Sequence, residues 1–125
     1  MNILRKAICV ALALASLSTA AADDSRIESG RRIFARNCQT CHGVTGPAAS
    51  QAGPDLHNIM GRRAGSENSG IHSRASIESG IAWSREGLRR YLENPDRTMP
   101  GTIMSRPVLD ADELEDLLDY LESLR

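Results

Sequence analysis

The stretch Asn37-Cys38-Gln39-Thr40-Cys41-His42-Gly43 decides how this chain is read, because it contains the pattern C-x-x-C-H. Two thiols at that spacing with a histidine directly after the second mark covalent attachment of a c-type haem. The thiols bind side groups of the porphyrin, and the histidine reaches the iron from one face. A bare C-x-x-C has two other readings, a thioredoxin-like redox pair or half of a zinc site. Zinc wants two further soft ligands, and the remaining cysteine, Cys9, lies in an N-terminal apolar run. A thioredoxin-like domain wants strands alternating with helices, a pattern this sequence does not carry.

Upstream of the motif the chain opens like an export signal. Arg5 and Lys6 form a basic start, Ile8 to Leu17 an apolar run, and Ala20-Ala21-Ala22 a small-residue cleavage site. Cleavage is expected after Ala22, giving a signal peptide over 1–22 and one domain over 23–125. The apolar stretch from Ala7 to Ala22 is 16 residues long, short of the ~20 a spanning helix needs. No stop-transfer segment follows it, so no membrane anchor is expected after processing. Cys9 leaves with the signal, and the compartment implied is the periplasm.

The 125-residue chain has room for one small domain. Its only aromatics are Phe34, Trp83, Tyr91 and Tyr120, thin provision for a core, and small domains are marginal without cross-links, metals or cofactors. A large apolar macrocycle would supply what is missing. Once Arg5 and Lys6 are removed, 13 basic residues face 16 acidic ones, and every remaining cation is arginine. With no basic stripe to meet phosphates, nucleic acid is excluded as the main partner.

In chain order, Ser25-Arg26-Ile27-Glu28 reads as a capping box opening a helix from about Arg26 to Asn37. Gly30 and Phe34 share a face of that helix with Ile27. Residues 43–70 are rich in Gly, Pro, Ser and Asn and read as a long loop that wraps something. A short helix is expected over Ser73 to Ser79, stopped by Gly80. Ser84 is placed to cap a helix carrying Leu88, Tyr91 and Leu92, which Asn94-Pro95 ends. After an extended loop through Met99 to Met104, Asp110 and Glu113 form a second box. The final helix carries the stripe Leu114, Leu117, Leu118, Leu121 and Leu124 and is closed by Arg125.

His42 is expected to bind iron through one ring nitrogen while a carbonyl holds the other N–H, and the Gly53-Pro54 turn is a candidate source of that carbonyl. The sixth iron position has several candidates: Met60, Met99, Met104, His57, His72, or nothing. Met104 stands on a Pro-Gly loop able to aim a side chain across the porphyrin. Methionines are more often packing residues, so the residues alone leave this choice open.

Taken in order, GRRIFARNCQTCHG (30–43), GPDLHNIMGRR (53–63), Trp83, YLENP (91–95), PGTIM (100–104) and DLLDYL (116–121) resemble a class I cytochrome c of the mitochondrial and short bacterial type. The resemblance implies an all-α fold, about four to five helices with long loops wrapped around one covalently bound haem c. It implies thioether bonds at Cys38 and Cys41, with His42 and Met104 as axial ligands. Pro54 would hold the His42 ring, Arg62 and Trp83 a haem propionate, and Tyr91 and Thr102 the Met104 side. Gly30 and Phe34 would meet Leu117 and Tyr120 where the terminal helices cross. The function implied is one-electron transfer rather than catalysis, in a respiratory or dehydrogenase-linked chain, by a monomer that meets a dehydrogenase or reductase and a terminal acceptor.

The departures from that family bear on partners. Where its members have a tyrosine on a propionate, this chain has His72, whose titration would make the potential pH-dependent. Past Met104 an aromatic near the haem edge is replaced by Ser105-Arg106-Pro107. The lysines expected around YLENP and PGTIM are Asp96, Arg97 and Ile103. A basic steering ring is therefore mostly missing, which motivates an alternative: a dedicated haem subunit, or electron acceptor, of one periplasmic oxidoreductase complex. A peroxidase or gas sensor would need an open sixth iron position.

Overall fold

A computed structural model describes residues 2–46, 52–67 and 71–125, with residues 2–19 described as backbone only. Cys9 and the Arg5-Lys6 pair, as side chains, and the loop segments 47–51 and 68–70 lie outside the described residues. The described residues form five helices and no strand: α1 (Asn2–Asn37), α2 (Arg74–Glu78), α3 (Arg85–Glu93), α4 (Pro95–Thr98) and α5 (Ala111–Ser123). This is the all-α architecture expected.

Helix α1 corrects one expectation. It runs unbroken through Ser25, so no cap forms there, and Glu28 instead binds Arg31 and Arg32. An N-cap acts only where upstream residues leave the helix. Here the preceding stretch has no Gly or Pro and is rich in Ala and Leu, which extend a helix and satisfy the N–H groups a cap would take. The expected boundary at Ala22 thus falls inside a helix.

The C-terminal part of α1 crosses α5 at Gly30. A Cβ there would stand 2.0 Å from the Asp116 carbonyl oxygen and 2.7 Å from Tyr120 Cβ, so only glycine allows this approach. One turn on, Phe34 and Tyr120 pack with ring centroids 5.7 Å apart and tilted by 55°, a favourable aromatic geometry. Leu117, at 1% exposure, lies in the same core. Arg26 to Asp116 and Asp119, and Arg36 to Glu113, tie the margins of the crossing.

The remaining helices form where local chemistry directs. Ser73 caps α2 by accepting the Ser76 N–H, and Gly80 follows at φ 69°. Ser84 caps α3 through the Gly87 N–H and buries Leu88, Tyr91 and Leu92. At α5 both bonds of the Asp110–Glu113 capping box are present. That helix ends at Ser123, so Arg125 lies beyond its last turn. Helix α4 is additional to the sequence reading: Asn94 both ends α3 and caps α4, with Pro95 as its first residue.

Between α1 and α2 the loop is held by backbone bonds. Gly53 N–H reaches the Cys41 carbonyl, Leu56 that of Gly43, and Gly61 and Ala64 pair with Trp83 and Ile81. Arg63 and Ala82 form an isolated antiparallel bridge. These ties curl the loop back over the end of α1 and shape one side of a cavity.

Candidate functional site

The end of α1 delivers the cysteine-histidine motif. Cys38 N–H still bonds to the Phe34 carbonyl, and Cys41 and His42 both return to the Cys38 carbonyl, at 3.0 and 2.9 Å. The motif is thereby wound into one tight turn on the helix end. Both thiols are free, Cys38 half-buried and Cys41 exposed. Burial, with some help from Cys41, pushes the Cys38 thiol up to about 11.

His42 turns inward and is fixed by its Nδ1, which lies 2.7 Å from the Pro54 carbonyl oxygen. With Nδ1–H donating, Nε2 carries the lone pair needed by a metal ligand. Burial holds the imidazolium below its ordinary value, while the Pro54 carbonyl and the Asp55 carboxylate pull the other way. Gly53 leaves room for the ring, since a Cβ there would approach His42 Cε1 to 2.6 Å. The sequence reading placed the acceptor in this turn; the structure identifies it as the carbonyl of Pro54 itself.

His42 opens into a cavity of about 560 Å³ whose walls are mostly apolar, with Phe34, Ile59, Leu88, Leu92, Leu117 and Leu121 among them. Its volume falls within the roughly 300–1,000 Å³ of small-molecule and cofactor sites. Cys38, Cys41, His42, Pro54, Arg62, Trp83, Tyr91, Thr102 and Met104 all line it. Nine residues spread over two-thirds of the domain's length are thus brought to one place.

Of the sixth-ligand candidates, Met104 and His72 line the cavity, whereas Met60, Met99 and His57 do not. Met99 is a core residue, 2% exposed. His57 contributes its backbone: its N–H binds the Asp55 carboxylate and its carbonyl accepts from Arg62. His72 Nε2 lies 2.7 Å from the Glu67 carbonyl oxygen.

On the Met104 side, the Tyr91 and Thr102 hydroxyls meet, and Thr102 Oγ1 also accepts the Met104 N–H. On the loop side, Arg62 donates to the carbonyls of Asp55 at 2.6 Å and His57 at 2.9 Å, and to the Glu67 carboxylate at 3.1 Å. Trp83 packs on Tyr91 with centroids 5.0 Å apart, and its indole N–H has no acceptor among the described residues. Gly53 and Glu67 were not singled out as site residues by sequence. Gly53 was legible as half of a Gly-Pro turn; Glu67 carried no signal.

The residues fit a haem. Among the described residues no group of three or more His, Cys, Asp or Glu side chains is placed to hold a metal ion. One imidazole nitrogen and one thioether in an apolar cavity instead suit a metal that brings its own equatorial ligands. The free thiols sit on the same turn as that imidazole, where a macrocycle can be tethered.

The comparisons with known proteins agree. The family model for cytochrome c matches residues 27–125. The chain is 42% identical over 96 residues to cytochrome c type-1 of Ascaris suum, covering 76% of this chain and 85% of that protein. It is 35% identical over 109 residues to cytochrome c2 of Blastochloris viridis, covering 86% and 84%. Among solved structures, cytochrome cH from Methylobacterium extorquens matches with a TM-score of 0.66 and 31% identity, over 77% of this chain and 96% of that one. With a fold, a cavity and relatives all of one kind, the chain belongs to the cytochrome c family, as an all-α class I electron carrier bearing one covalently attached haem c.

Proposed function

We propose that the protein is exported to the periplasm after removal of residues 1–22 and works there as a one-electron carrier in a respiratory or dehydrogenase-linked chain. In this reading Cys38 and Cys41 would form the thioether bonds to the haem, and His42 and Met104 would hold its iron. The observation that carries it is the sorting of the candidate ligands: Met104 and His72 share a cavity with His42, while Met60, Met99 and His57 lie elsewhere, and the His72 Nε2 is already engaged by the Glu67 carbonyl. Among the described residues no helix is long and apolar enough to cross a membrane.

When bound, the haem supplies a ferric/ferrous couple that takes up and releases one electron. The protein's part is to hold still. The Pro54 carbonyl fixes the His42 ring, and the Tyr91–Thr102 pair steadies the loop that presents Met104. A methionine opposite histidine, in a buried apolar site, raises the potential and leaves little to rearrange on reduction. A visible spectrum of the purified protein tests this reading, with c-type bands and the weak far-red band of methionine on ferric iron expected. A ferric haem that exchanges its sixth ligand freely at neutral pH would overturn it. N-terminal sequencing of the periplasmic protein should start at Asp23.

The cavity mouth favours a second reading alongside the first, a carrier dedicated to one oxidoreductase. Ile71 and Ile103 line the cavity yet are 61% and 67% exposed. Arg63 and Arg106 also line it, and neither has a carboxylate partner among the described residues, unlike Arg62, Arg85 and Arg89. Exposed isoleucines on the lining of a cofactor cavity fit a redox protein with an apolar contact face. Electron-transfer rates that barely change with ionic strength would favour this dedicated docking over broad electrostatic steering.

A further inference from the structure

We propose that Glu67 sets the reduction potential, acting as a fixed negative charge inside the cofactor cavity that stabilises the oxidised state. This rests on haem occupying the cavity. Glu67 and Arg62 both line the cavity, and their side chains are 17% and 18% exposed. Arg62 is fixed independently by the carbonyls of Asp55 and His57, on the turn that carries Pro54. It therefore anchors Glu67 from the same piece of backbone that orients His42. From the other direction, the Glu67 carbonyl accepts from His72. The carboxylate is thus held at the wall by its side chain and its main chain together.

The sign of the effect follows from charge. Reduction adds an electron to the iron, so a nearby cation favours it and a nearby anion opposes it. The effect is larger in a cavity walled by apolar groups than in water. Arg62 alone would raise the potential. Paired with Glu67 it presents little net charge, and it must be shared between Glu67 and any carboxylate of the cofactor. Besides Arg62, the other charged or titratable side chains on the cavity wall are Arg63, Arg106, His42, His72, Cys38, Cys41 and Tyr91. Glu67 is the only acidic residue among the described ones lining it, so no other carboxylate there duplicates its effect.

The test is a spectroelectrochemical titration of the haem-loaded wild type, Glu67→Gln and Glu67→Asp. Glu67→Gln keeps an oxygen facing Arg62 and removes the charge. At a fixed applied potential its ratio of reduced to oxidised protein should rise about threefold to tenfold, which is roughly 30–60 mV for a one-electron couple. Glu67→Asp keeps the charge and should stay close to the wild type. Should Glu67→Gln accumulate poorly with haem, Glu67→Ser carries the same expected rise. A neutral variant with wild-type potential would overturn the proposal. So would an equal shift in Glu67→Asp, because packing rather than charge would then be responsible. Failure of the underlying haem reading is distinguishable, since the wild type would then lack c-type bands altogether.

Discussion

The Tyr91 hydroxyl lies 2.6 Å from the Thr102 hydroxyl, and the same Thr102 oxygen accepts the Met104 N–H at 3.2 Å. One oxygen atom therefore joins α3 to the loop that presents Met104. Burial pushes the Tyr91 phenol up, against the pull of its bond to Thr102, so it stays protonated and either hydroxyl can donate. Thr102→Val leaves both the phenol and the amide unpartnered, at a cost of about 1–3 kcal/mol. The expected outcome is a lower thermal midpoint of the haem-loaded protein together with tighter azide binding to the ferric form. Unchanged azide affinity would detach Thr102 from the hold on Met104.

Met104 and Met99 are five residues apart and have separate roles. Met104→Ala should leave haem attached, lower the potential and open the iron to azide. Met99 is 2% exposed and outside the cavity. Met99→Ala should cost about 2–5 kcal/mol of stability, as deletion of a buried side chain does, and leave the far-red band in place. If Met99→Ala removed that band, the assignment of the sixth ligand would be wrong.

The Gly30 crossing leaves no space for a methyl group, since the nearest obstacle is Asp116 main chain rather than a flexible side chain. Alanine gains about 1 kcal/mol of helix propensity over glycine. Overpacking against a rigid backbone typically costs about 1–3 kcal/mol, and at 2.0 Å the upper end applies. Gly30→Ala should therefore lower the urea midpoint despite being the better helix former. A stabilised variant would show that α1 and α5 can slide apart freely.

Glu115 gives the protein an acid dependence of defined sign. Its hydrogen bonds to Arg89 and then Arg85 hold its carboxyl down to about 2, against an ordinary value of 4.5. Because the folded value is depressed, the stabilisation is complete above about pH 4.5 and is lost as pH falls toward 2. Glu115→Gln should be less stable than the wild type at pH 7, and the two should converge across that window. Urea midpoints measured from pH 7 to 2 check it.

The parts legible in the sequence are those decided locally. Ser84 and Asp110 cap the helices they were expected to cap, because the acceptor, the N–H and the apolar stripe all lie within one or two turns. The sorting of Met104 from Met60 and Met99 was legible only through the family resemblance and not from the residues alone, since it depends on how the loop after α4 meets α3. Ser25 misled because the residues before it continue the helix. Helix α4 was in plain view as Asn94-Pro95, a cap followed by a proline suited to a first turn, yet that pair was read only as a stop. Glu67 was invisible because its partner, Arg62, is reached through the curl of a loop and not through periodicity.

The contact that orients His42 ends on a main-chain oxygen, and two of the bonds that fix Arg62 do the same. Every residue has a carbonyl, so no single substitution at Pro54, Asp55 or His57 can delete these acceptors; it can only displace them. The orientation of the imidazole is thus buffered against mutation at the positions that hold it. Its vulnerability lies instead at Gly53, where adding a single carbon would press on the ring.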